Sequence, residues 1–469
     1  MRTGHTSQVS LRARATRAAL LAGTLALAAA VAGCGAGTDR AGPPLAGTGG
    51  AVRAGSSTDW LGYHADAARS GVVRGLPRAG ELSGGWSRPL DGAVYGQPLV
   101  VHGLVVAATE NDSVYGIDRV TGQVRWHRRV GTPLPLAGQP CGNIDPLGIT
   151  STPVYVPATG LVYVLAQDGR TGHLLVGLEP ASGLVRYRRA VPAPDGAPWY
   201  DQQRGALAAG NGVIYVTFGG HFGDCGAYVG SVVGMPAAGT GPVVWYLVPT
   251  SAHAGIWAPG GPVIGPDGTV FVAVGNGAVS VPYDASDSVT ALTPRLRPAG
   301  IFAPARWVAD NRTDLDLGSM TPALAGGLLL AVGKSGTGYL LGAGRLRGVG
   351  SQSATAAICS AYGGAAVDGR TVFVPCASGG PAAVALAPGE IRVRWRGPAG
   401  ANGSPVVGGG AVWVTDNPAG VLYQLDPATG QVLHQISLGS ALPNFASPAL
   451  SGRLVLVGTM RGVVAVAGG

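Results

Sequence analysis

The sequence predicts an all-β fold, an eight-bladed β-propeller that occupies residues 59–469 and is closed by an N-terminal strand. Three observations lead to this prediction: a strand-turn-strand unit that occurs three times, a short phrase that recurs before apolar strands, and a composition rich in turn-forming residues. The chain has 80 glycines and 35 prolines among 469 residues. No convincing helical apolar period follows residue 58, so the segments between turns are predicted to be strands.

The repeated unit occupies residues 114–126, 175–187 and 422–434. Each copy has a strand, a tight turn with an acidic residue, a hydroxyl and a glycine, and a second strand. The glycine supplies the positive backbone angle of such a turn, and the acidic and hydroxyl groups can bond its free amides. The ring four residues after the glycine is expected to lie flat between adjacent sheets.

The recurring phrase, Gly/Ser-x-Pro or Gly-Ala, stands before eight apolar strands at intervals of roughly 40 to 60 residues, the length of a four-stranded blade. The eight positions are Gln97-Pro98, Thr152-Pro153, Gly205-Ala206, Gly261-Pro262, Thr321-Pro322, Gly364-Ala365, Ser404-Pro405 and Ser447-Pro448. The chain ends two or three strands after the eighth phrase, too soon for a complete blade. Residues 82–90 are therefore expected to supply the missing outer strand and hide both sheet edges.

The N-terminus predicts export. Arginines 2, 12, 14 and 17 precede an apolar run from Ala18 to Ala32, and Val31-Ala-Gly-Cys34 resembles a lipoprotein cleavage site. We expect residues 1–33 to be a signal peptide, Cys34 to be lipidated, and residues 34–58 to be a flexible tether rich in Gly, Ala, Pro and Thr. The protein would then be anchored through lipid to the outer face of the cell membrane. Cleavage without lipidation is the alternative.

Charge and cysteine content narrow the classes of partner. Without residues 1–33 the formal net charge falls from +8 to about +4, and no basic cluster of the kind that binds nucleic acid is present. Four further cysteines favour two disulfides. Cys359 and Cys376 flank a hairpin that turns at Asp368-Gly369, so we pair them and leave Cys141 with Cys225. We expect a monomer.

The repeated unit resembles that of the pyrroloquinoline quinone (PQQ)-type propellers over residues 59–469. That superfamily includes quinoprotein dehydrogenases, which hold PQQ and calcium on the ring axis, and noncatalytic lipoproteins of the outer-membrane assembly type. The first branch places a tryptophan under the quinone and an asparagine ligand of calcium about one hairpin later. The resemblance assigns these roles to Trp257 and Asn276.

The same resemblance places a calcium-binding catalytic base and then a quinone-contacting basic residue further along the chain. The matching residues are Asp316 and Lys334, the only lysine in the chain. The Gly-Lys-Ser triplet at Lys334 is not a phosphate loop, because position 328 is leucine where that motif needs glycine. Asp224, in Gly-Asp-Cys-Gly, is the nearest match to a third, acidic metal ligand, with His221 close by as an alternative polar group.

The resemblance implies redox chemistry. Calcium takes oxygen ligands such as Asp224, Asn276 and Asp316, Lys334 could stabilise charge on a reduced quinone, and Asp316 could take a substrate proton. Each residue also has a structural interpretation. Trp257 could pack between blades, Asn276 could serve a turn, and Lys334 could pair with Asp314 or Asp316.

Three departures from the dehydrogenase pattern keep two hypotheses open. The chain has no adjacent cysteine pair, its fifth blade lacks the acidic turn, and it has no haem motif, so an enzyme would need a separate electron carrier.

One hypothesis is a quinoprotein oxidoreductase acting on an alcohol or sugar. The other is a noncatalytic propeller, with no cofactor, that binds another envelope protein or a ligand. A hydrolase has no supporting Ser/His or paired-carboxylate pattern.

Overall fold

The computed structural model describes residues 59–278 and 281–468. The predicted signal peptide, the tether and Cys34 lie outside this part of the chain. The described residues form eight β-sheets, one per predicted blade, which confirms the eight-bladed propeller. One segment outside the blades is helical: α1 (Trp307–Thr313) joins two blades. Two helical turns are too short to produce a recognisable apolar period.

The first strands of the chain serve blades formed much later in the sequence. Strand β1 (Val72–Val73) pairs in parallel with the inner strand of blade 7. Strand β2 (Leu82–Pro89) pairs with the third strand of blade 8 and is its outer strand. The closure predicted for residues 82–90 is therefore confirmed.

Blades 1 to 4 follow in chain order, each from the inner to the outer strand. Blade 1 contains β3 (Leu99–Val101), β4 (Leu104–Ala108), β5 (Ser113–Asp118) and β6 (Val124–Arg129). Blade 2 contains β7 (Val154–Val156), β8 (Leu161–Asp168), β9 (Gly172–Leu178) and β10 (Val185–Val191). Blade 3 contains β11 (Asp201–Gln202), β12 (Ala208–Gly210), β13 (Val213–Gly220), β14 (Ser231–Pro236) and β15 (Val244–Leu247), with β11 and β12 both paired to β13. Blade 4 contains β16 (Val263–Ile264), β17 (Val270–Val274), β18 (Ser288–Leu292) and β19 (Pro298–Ala303).

Blades 5 to 8 complete the ring. Blade 5 contains β20 (Ala323–Ala325), β21 (Leu328–Val332), β22 (Thr337–Gly342) and β24 (Ala354–Ala357), while the intervening β23 (Arg347–Val349) pairs with β19 of blade 4. Blade 6 contains β25 (Ala366–Asp368), β26 (Thr371–Val374), β27 (Ala382–Ala387) and β28 (Glu390–Arg396). Blade 7 contains β29 (Val406–Gly408), β30 (Ala411–Asp416), β31 (Val421–Leu425) and β32 (Val432–Ser437). Blade 8 contains β33 (Ala449–Ser451), β34 (Leu454–Thr459) and β35 (Gly462–Gly468), completed by β2.

The acidic turns of the repeated unit fasten neighbouring blades together. Within one turn, Asp118 Oδ1 accepts hydrogen bonds from the amides of Val120 and Thr121, as predicted. Between blades, Trp126 Nε1 donates to Pro180 O of the next turn at 2.7 Å, and the indole covers Gly183 of that turn. The same arrangement joins Trp86 to the turn of blade 1 and Trp395 to the turn of blade 7.

The antiparallel order of strands gives the ring two distinct faces. Connections between blades, and the loops between second and third strands, lie on one face, which we call the loop face. The tight hairpins, including the acidic turns, lie on the other, which we call the turn face. The eight recurring phrases all stand where a connection from the loop face enters an inner strand, so residues just before them surround the ring axis.

Residues 59–73, the axial segment, run along the inner strands and were not predicted to do so. Backbone hydrogen bonds join Trp60 to Val100 of blade 1, Leu61 to Tyr155 of blade 2 and Ala67 to Ile264 of blade 4. Further bonds join Ser70 and Gly71 to the inner strands of blades 6 and 7. The segment therefore fills the centre of the ring.

Two buried side chains of the axial segment, His64 and Arg69, bind at the recurring phrases. His64 bonds to Ala365 O and to Ser447 Oγ, both at 3.1 Å. Arg69 donates to Pro262 O at 3.1 Å and to Leu207 O at 2.9 Å. Tyr63 lies between these two residues, with its ring stacked on that of His64. The phrases thus enclose the axial segment as well as starting the blades.

Both predicted disulfides, Cys141–Cys225 and Cys359–Cys376, are present. The first joins the blade 1–2 connection to the β13–β14 loop, and both of these lie on the loop face. Within the described residues, no helix is long and apolar enough to span a membrane.

Candidate functional site

Four of the predicted site residues meet on the loop face, near the junction of blades 4 and 5. Trp257 precedes the inner strand of blade 4, Asn276 follows β17, Asp316 precedes blade 5, and Lys334 follows β21. They come from four separate segments of the chain. Their convergence is a property of the fold and does not follow from closeness in sequence.

Lys334 is at the centre of this group. Its Nζ lies 2.8 Å from Asp316 Oδ2, makes a close contact with Asp314 Oδ1, and is 5.5 Å from the centroid of the Trp257 ring. The side chain of Lys334 is 15% exposed, that of Asp316 is 1% exposed and that of Asp314 is 71% exposed. Burial alone would lower the pKa of Lys334, but the two carboxylates raise it, so the ammonium stays charged.

Several buried oxygen atoms beside Lys334 have no hydrogen-bond partner in the structure. They are Asn276 Oδ1, Asp316 Oδ1 and Asp287 Oδ2. Asn276 Nδ2 donates to Asp314 Oδ1 at 2.6 Å, while the amide of Leu317 donates to Asp287 Oδ1 at 2.8 Å. Because unpaired buried oxygens are costly, this region favours a cation or donor that would satisfy them.

The backbone next to Asp316 Oδ1 is made of glycine. A Cβ atom on Gly318 would lie 2.8 Å from Asp316 Oδ1, and one on Gly275 would lie 3.4 Å from it. Burial raises the pKa of Asp287 well above its usual range, and the neighbouring Asp316 raises it further. The glycines thus leave the carboxylate oxygen free of side-chain cover, and the excess of carboxylates suits a positively charged ligand.

These observations test whether the residues fit the cofactor pair that the resemblance implies. Asn276 and Asp316 fit a calcium ion, because each offers a buried unpaired oxygen, the ligand type that calcium prefers. Trp257 is only half-buried, so part of its ring is open to a planar ligand. Within residues 59–278 and 281–468, however, no group of three His, Cys, Asp or Glu side chains is arranged to hold a metal.

Asp224 is not brought into this group. Its backbone lies in the left-handed region (φ 51°), and its Oδ1 accepts a hydrogen bond of 2.6 Å from the Tyr228 hydroxyl. Asp224 is exposed, whereas Tyr228 is buried. Burial raises the pKa of Tyr228, and both Asp224 and Asp316 add to this rise. Asp224 is therefore linked to the site through this tyrosine, and among the described residues it forms no hydrogen bond or ion pair with Asn276, Asp316 or Lys334.

An aromatic group continues the site across the axis. Trp257 has its ring centroid 6.3 Å from those of both Tyr362 and Phe445. The Tyr362 and Phe445 rings are nearly parallel, with centroids 5.8 Å apart. Arg204 follows, with Cζ 4.9 Å from the Phe445 ring centroid and 5.8 Å from that of Tyr95. We call the six residues Tyr95, Arg204, Trp257, Lys334, Tyr362 and Phe445 the axial cluster.

Every member of the axial cluster is half-buried, so the cluster is partly exposed on the loop face, and we call this exposed surface the axial opening. Beneath it, the axial segment fills the ring centre. Access to the cluster is therefore from the loop face.

Glu110 lies at the Arg204 end of the cluster. Its Oε2 accepts hydrogen bonds from the Gly148 amide at 2.8 Å and from Thr150 Oγ1 at 3.1 Å, while Oε1 is buried without a partner. Burial raises the pKa of Glu110 to about 7, and the nearby Arg204 partly opposes this rise.

Sequence reasoning missed Tyr95, Arg204, Tyr362 and Phe445, although their positions carried a usable signal. Tyr95, Tyr362 and Phe445 each stand two residues before a recurring phrase, and Arg204 stands directly before one. Because these phrases surround the axis, an aromatic or basic residue at those positions faces the opening. The recurring phrases therefore mark the residues that line the axis as well as the start of each blade.

The fold and the repeated unit define the class: this is a β-propeller built from pyrroloquinoline-quinone-like repeats. The family model described as outer membrane protein assembly factor BamB matches residues 83–280 and 349–468. The chain therefore belongs to the BamB-like family of propellers. The segment between the two matched ranges contains Asp314, Asp316 and Lys334. No curated protein sequence matches the chain significantly.

Solved structures from both branches of the superfamily share this fold. Quinohemoprotein alcohol dehydrogenase ADHIIG from Pseudomonas putida HK5 is 14% identical, with a TM-score of 0.69 over 88% of this chain and 81% of that one. A europium-containing methanol dehydrogenase is 14% identical, with a TM-score of 0.65 over 88% and 98%. BamB from Moraxella catarrhalis is 17% identical, with a TM-score of 0.57 over 82% and 99%. At these identities the similarity concerns the fold alone.

Proposed function

We propose that this protein is an exported, membrane-anchored propeller that binds a PQQ-type quinone and a calcium ion at its axial site and works as an oxidoreductase. The observation that carries the proposal is the meeting of Trp257, Asn276, Asp316 and Lys334 from four separate segments. These are the residues that the resemblance to quinoprotein dehydrogenases assigns to the cofactor site. Two of them also bring buried oxygens without partners.

Each residue has a definable role in this proposal. The exposed part of the Trp257 ring would pack against the quinone, and Asn276 Oδ1 and Asp316 Oδ1 would bind the calcium ion. Lys334, kept charged by Asp314 and Asp316, would hold positive charge beside the ligand. Bound quinone would supply a two-electron acceptor.

Asp316 is the proposed base for a substrate hydroxyl, an alcohol or a sugar. Burial raises the pKa of its carboxyl, which strengthens it as a base, while the neighbouring Lys334 opposes this rise and favours the ionised form. The electron carrier that reoxidises the cofactor would be a separate protein.

Titration of the purified full-length protein with PQQ in calcium buffer tests the proposal. We expect saturable binding with a new absorbance band from bound cofactor, reduction of an artificial dye in the presence of an alcohol, and loss of binding in Lys334→Ala. Arg392→Gln, an exposed change on β28, is the control. Absence of saturable binding at any calcium concentration would overturn the proposal.

A second candidate is a noncatalytic propeller that binds another envelope protein. Two observations favour it: the chain belongs to a family described as an outer membrane assembly factor, and Asp224 does not join the axial group. This function predicts that a stable partner is recovered with the protein from intact envelopes, and that no quinone is taken up.

A further inference from the structure

We propose that Arg204 and the rings beside it form a carboxylate-binding site in the axial opening. The inference deepens the proposed function and rests on it for the identity of the ligand, since it names an acid group that the occupant of the opening carries. The acid could belong to the cofactor or to an acidic substrate.

The guanidinium of Arg204 is held by two aromatic rings. Its Cζ lies 4.9 Å from the Phe445 centroid and 5.8 Å from the Tyr95 centroid. A guanidinium that contacts ring faces through its own flat side keeps its five in-plane N–H donors free. The two rings restrict the position of the charge, and among the described residues neither of them accepts a hydrogen bond from Arg204.

Among the described residues, no carboxylate forms an ion pair with Arg204, and none of its N–H groups has a protein acceptor. Glu110 is the carboxylate whose charge acts on Arg204. Its Oε2 already accepts two hydrogen bonds from other groups. Burial raises the pKa of Glu110 to about 7, so at neutral pH it neutralises Arg204 only in part. An arginine in this position is suited to bidentate binding of a carboxylate from outside the protein.

Lys334, the other cation of the axial cluster, is engaged differently. Its ammonium contacts both Asp314 and Asp316, so its charge is balanced within the protein. Arg204 is thus the cation of the cluster that remains available to an anion. This difference places acid recognition at the Arg204 end and the proposed base at the Lys334 end.

The backbone of Phe445 is an independent sign that this end of the cluster serves a ligand. Phe445 has φ 67°, a left-handed conformation that is rare and costly for a bulky side chain. Such residues occur preferentially at functional sites, where the surroundings hold them in place. Here the conformation places the ring between Arg204 and Tyr362.

The test measures binding of benzoate and of the matched neutral compound benzamide to the full-length protein without quinone. We expect benzoate to bind about tenfold more tightly than benzamide, the difference that one charge-assisted bidentate contact supplies. In Arg204→Gln this preference should disappear, while benzamide binding stays the same. Arg204→Lys should recover only part of it, and Arg392→Gln should behave as the unmodified protein. Thermal unfolding of each variant checks that the fold is intact.

Equal affinities for benzoate and benzamide, or a preference that persists in folded Arg204→Gln, would overturn the inference. Titration with PQQ and its trimethyl ester then distinguishes the two sources of the acid. Loss of PQQ affinity in Arg204→Gln, with ester affinity unchanged, assigns the carboxylate to the cofactor. Unchanged PQQ affinity, with benzoate still binding beside bound PQQ through Arg204, assigns it to a substrate. If benzoate binds through Arg204 but PQQ never binds, the carboxylate site stands and the proposed cofactor does not.

Discussion

Lys334 shows how one residue connects composition, packing and proposed chemistry. Among 32 basic side chains it is the only lysine, and it stands between a buried aspartate and a tryptophan ring. Its structural role, balancing the charge of Asp316, and its proposed role beside a quinone are compatible. The structural role can be measured without any ligand.

Replacing Lys334 by alanine should lower the free energy of unfolding by about 3 kcal/mol, because it leaves the buried Asp316 carboxylate unpaired. Asp316→Asn should cost less, since Lys334 keeps its contact with Asp314. The variant with both substitutions should lose less free energy of unfolding than the sum of the two single losses. This double-mutant cycle should give a coupling energy of about 1–3 kcal/mol. Urea unfolding of the four proteins measures this, and strictly additive losses would mean that the pair is not coupled.

Asp112 predicts a pH dependence of stability. It is fully buried, both carboxylate oxygens lack partners, and burial raises its pKa to about 8 from an ordinary value of 3.8. Between these values the folded protein holds a proton that the unfolded chain releases, so this contribution to stability falls as pH rises. Asp112→Asn removes the titration. The melting temperature of Asp112→Asn minus that of the unmodified protein should therefore be larger at pH 8.5 than at pH 5.5.

Asp426→Asn provides the matched control for Asp112→Asn. Asp426 accepts bonds from the turn amides of Ala428 and Thr429, which lower its pKa below the ordinary 3.8. It is ionised at both pH values, so its replacement should change the melting temperature by the same amount at each. A pH-independent effect of Asp112→Asn would show that this carboxyl does not titrate in the range.

Some residues of the candidate site could be selected from the sequence and others could not, for physical reasons. Trp257, Asn276, Asp316 and Lys334 could be found because each stands in a phrase that resembles a family motif. Arg204 could not be distinguished by type, since it is one of 31 arginines, and only the fold shows that it lacks an acidic partner. Asp224 was selected by a weak motif, and the sequence did not show that Tyr228 would take its carboxylate.

At the scale of elements, the acidic turn is both a hairpin and a docking surface for the next blade. Gly430 illustrates the docking role, because its φ is 73° and a Cβ there would lie 2.4 Å from the Trp395 ring. Gly389 occupies the corresponding hairpin of blade 6 with φ 76°, but nothing lies within 4 Å of its Cβ position. A substitution at either glycine strains the backbone, but only one at Gly430 also disturbs the contact with the next blade. Comparing the two positions therefore separates these effects.

Gly430→Ala should destabilise the protein by about 1–3 kcal/mol more than Gly389→Ala, because both variants strain the backbone and only the first overpacks a ring. Thermal and urea unfolding of the two variants give the comparison. Equal losses of stability in the two variants would show that the packing of the Trp395 indole on this turn does not require a glycine at position 430.

The axial segment could not be predicted from sequence because it belongs to no repeat. Its backbone partners lie on inner strands far along the chain, such as Ile264, Val367 and Val407. The blades, by contrast, are made of local hairpins whose turn chemistry recurs. Local pattern thus predicts the blades, whereas the filling of their centre depends on long-range contacts.

At the scale of the whole molecule, the repeats were sufficient to predict a closed ring of eight blades, and the pairing of β2 with β35 completes it as expected. Closure is what makes an axial site possible, since residues from blades 1, 3, 4, 5, 6 and 8 meet only when the ring is complete. The same ring serves dehydrogenases and assembly factors. Fold similarity therefore does not determine function, and the occupant of the axial opening must be determined directly.

The most direct measurement is a crystal structure of the protein grown with saturating PQQ and calcium. We expect a planar ligand against Trp257 and a metal ion about 2.3–2.6 Å from Asn276 Oδ1 and Asp316 Oδ1. A ligand carboxylate should lie on Arg204 if the acid belongs to the cofactor. An axial opening without ligand, with Lys334 still joined to Asp314 and Asp316, would contradict the proposed cofactor site and favour a noncatalytic propeller.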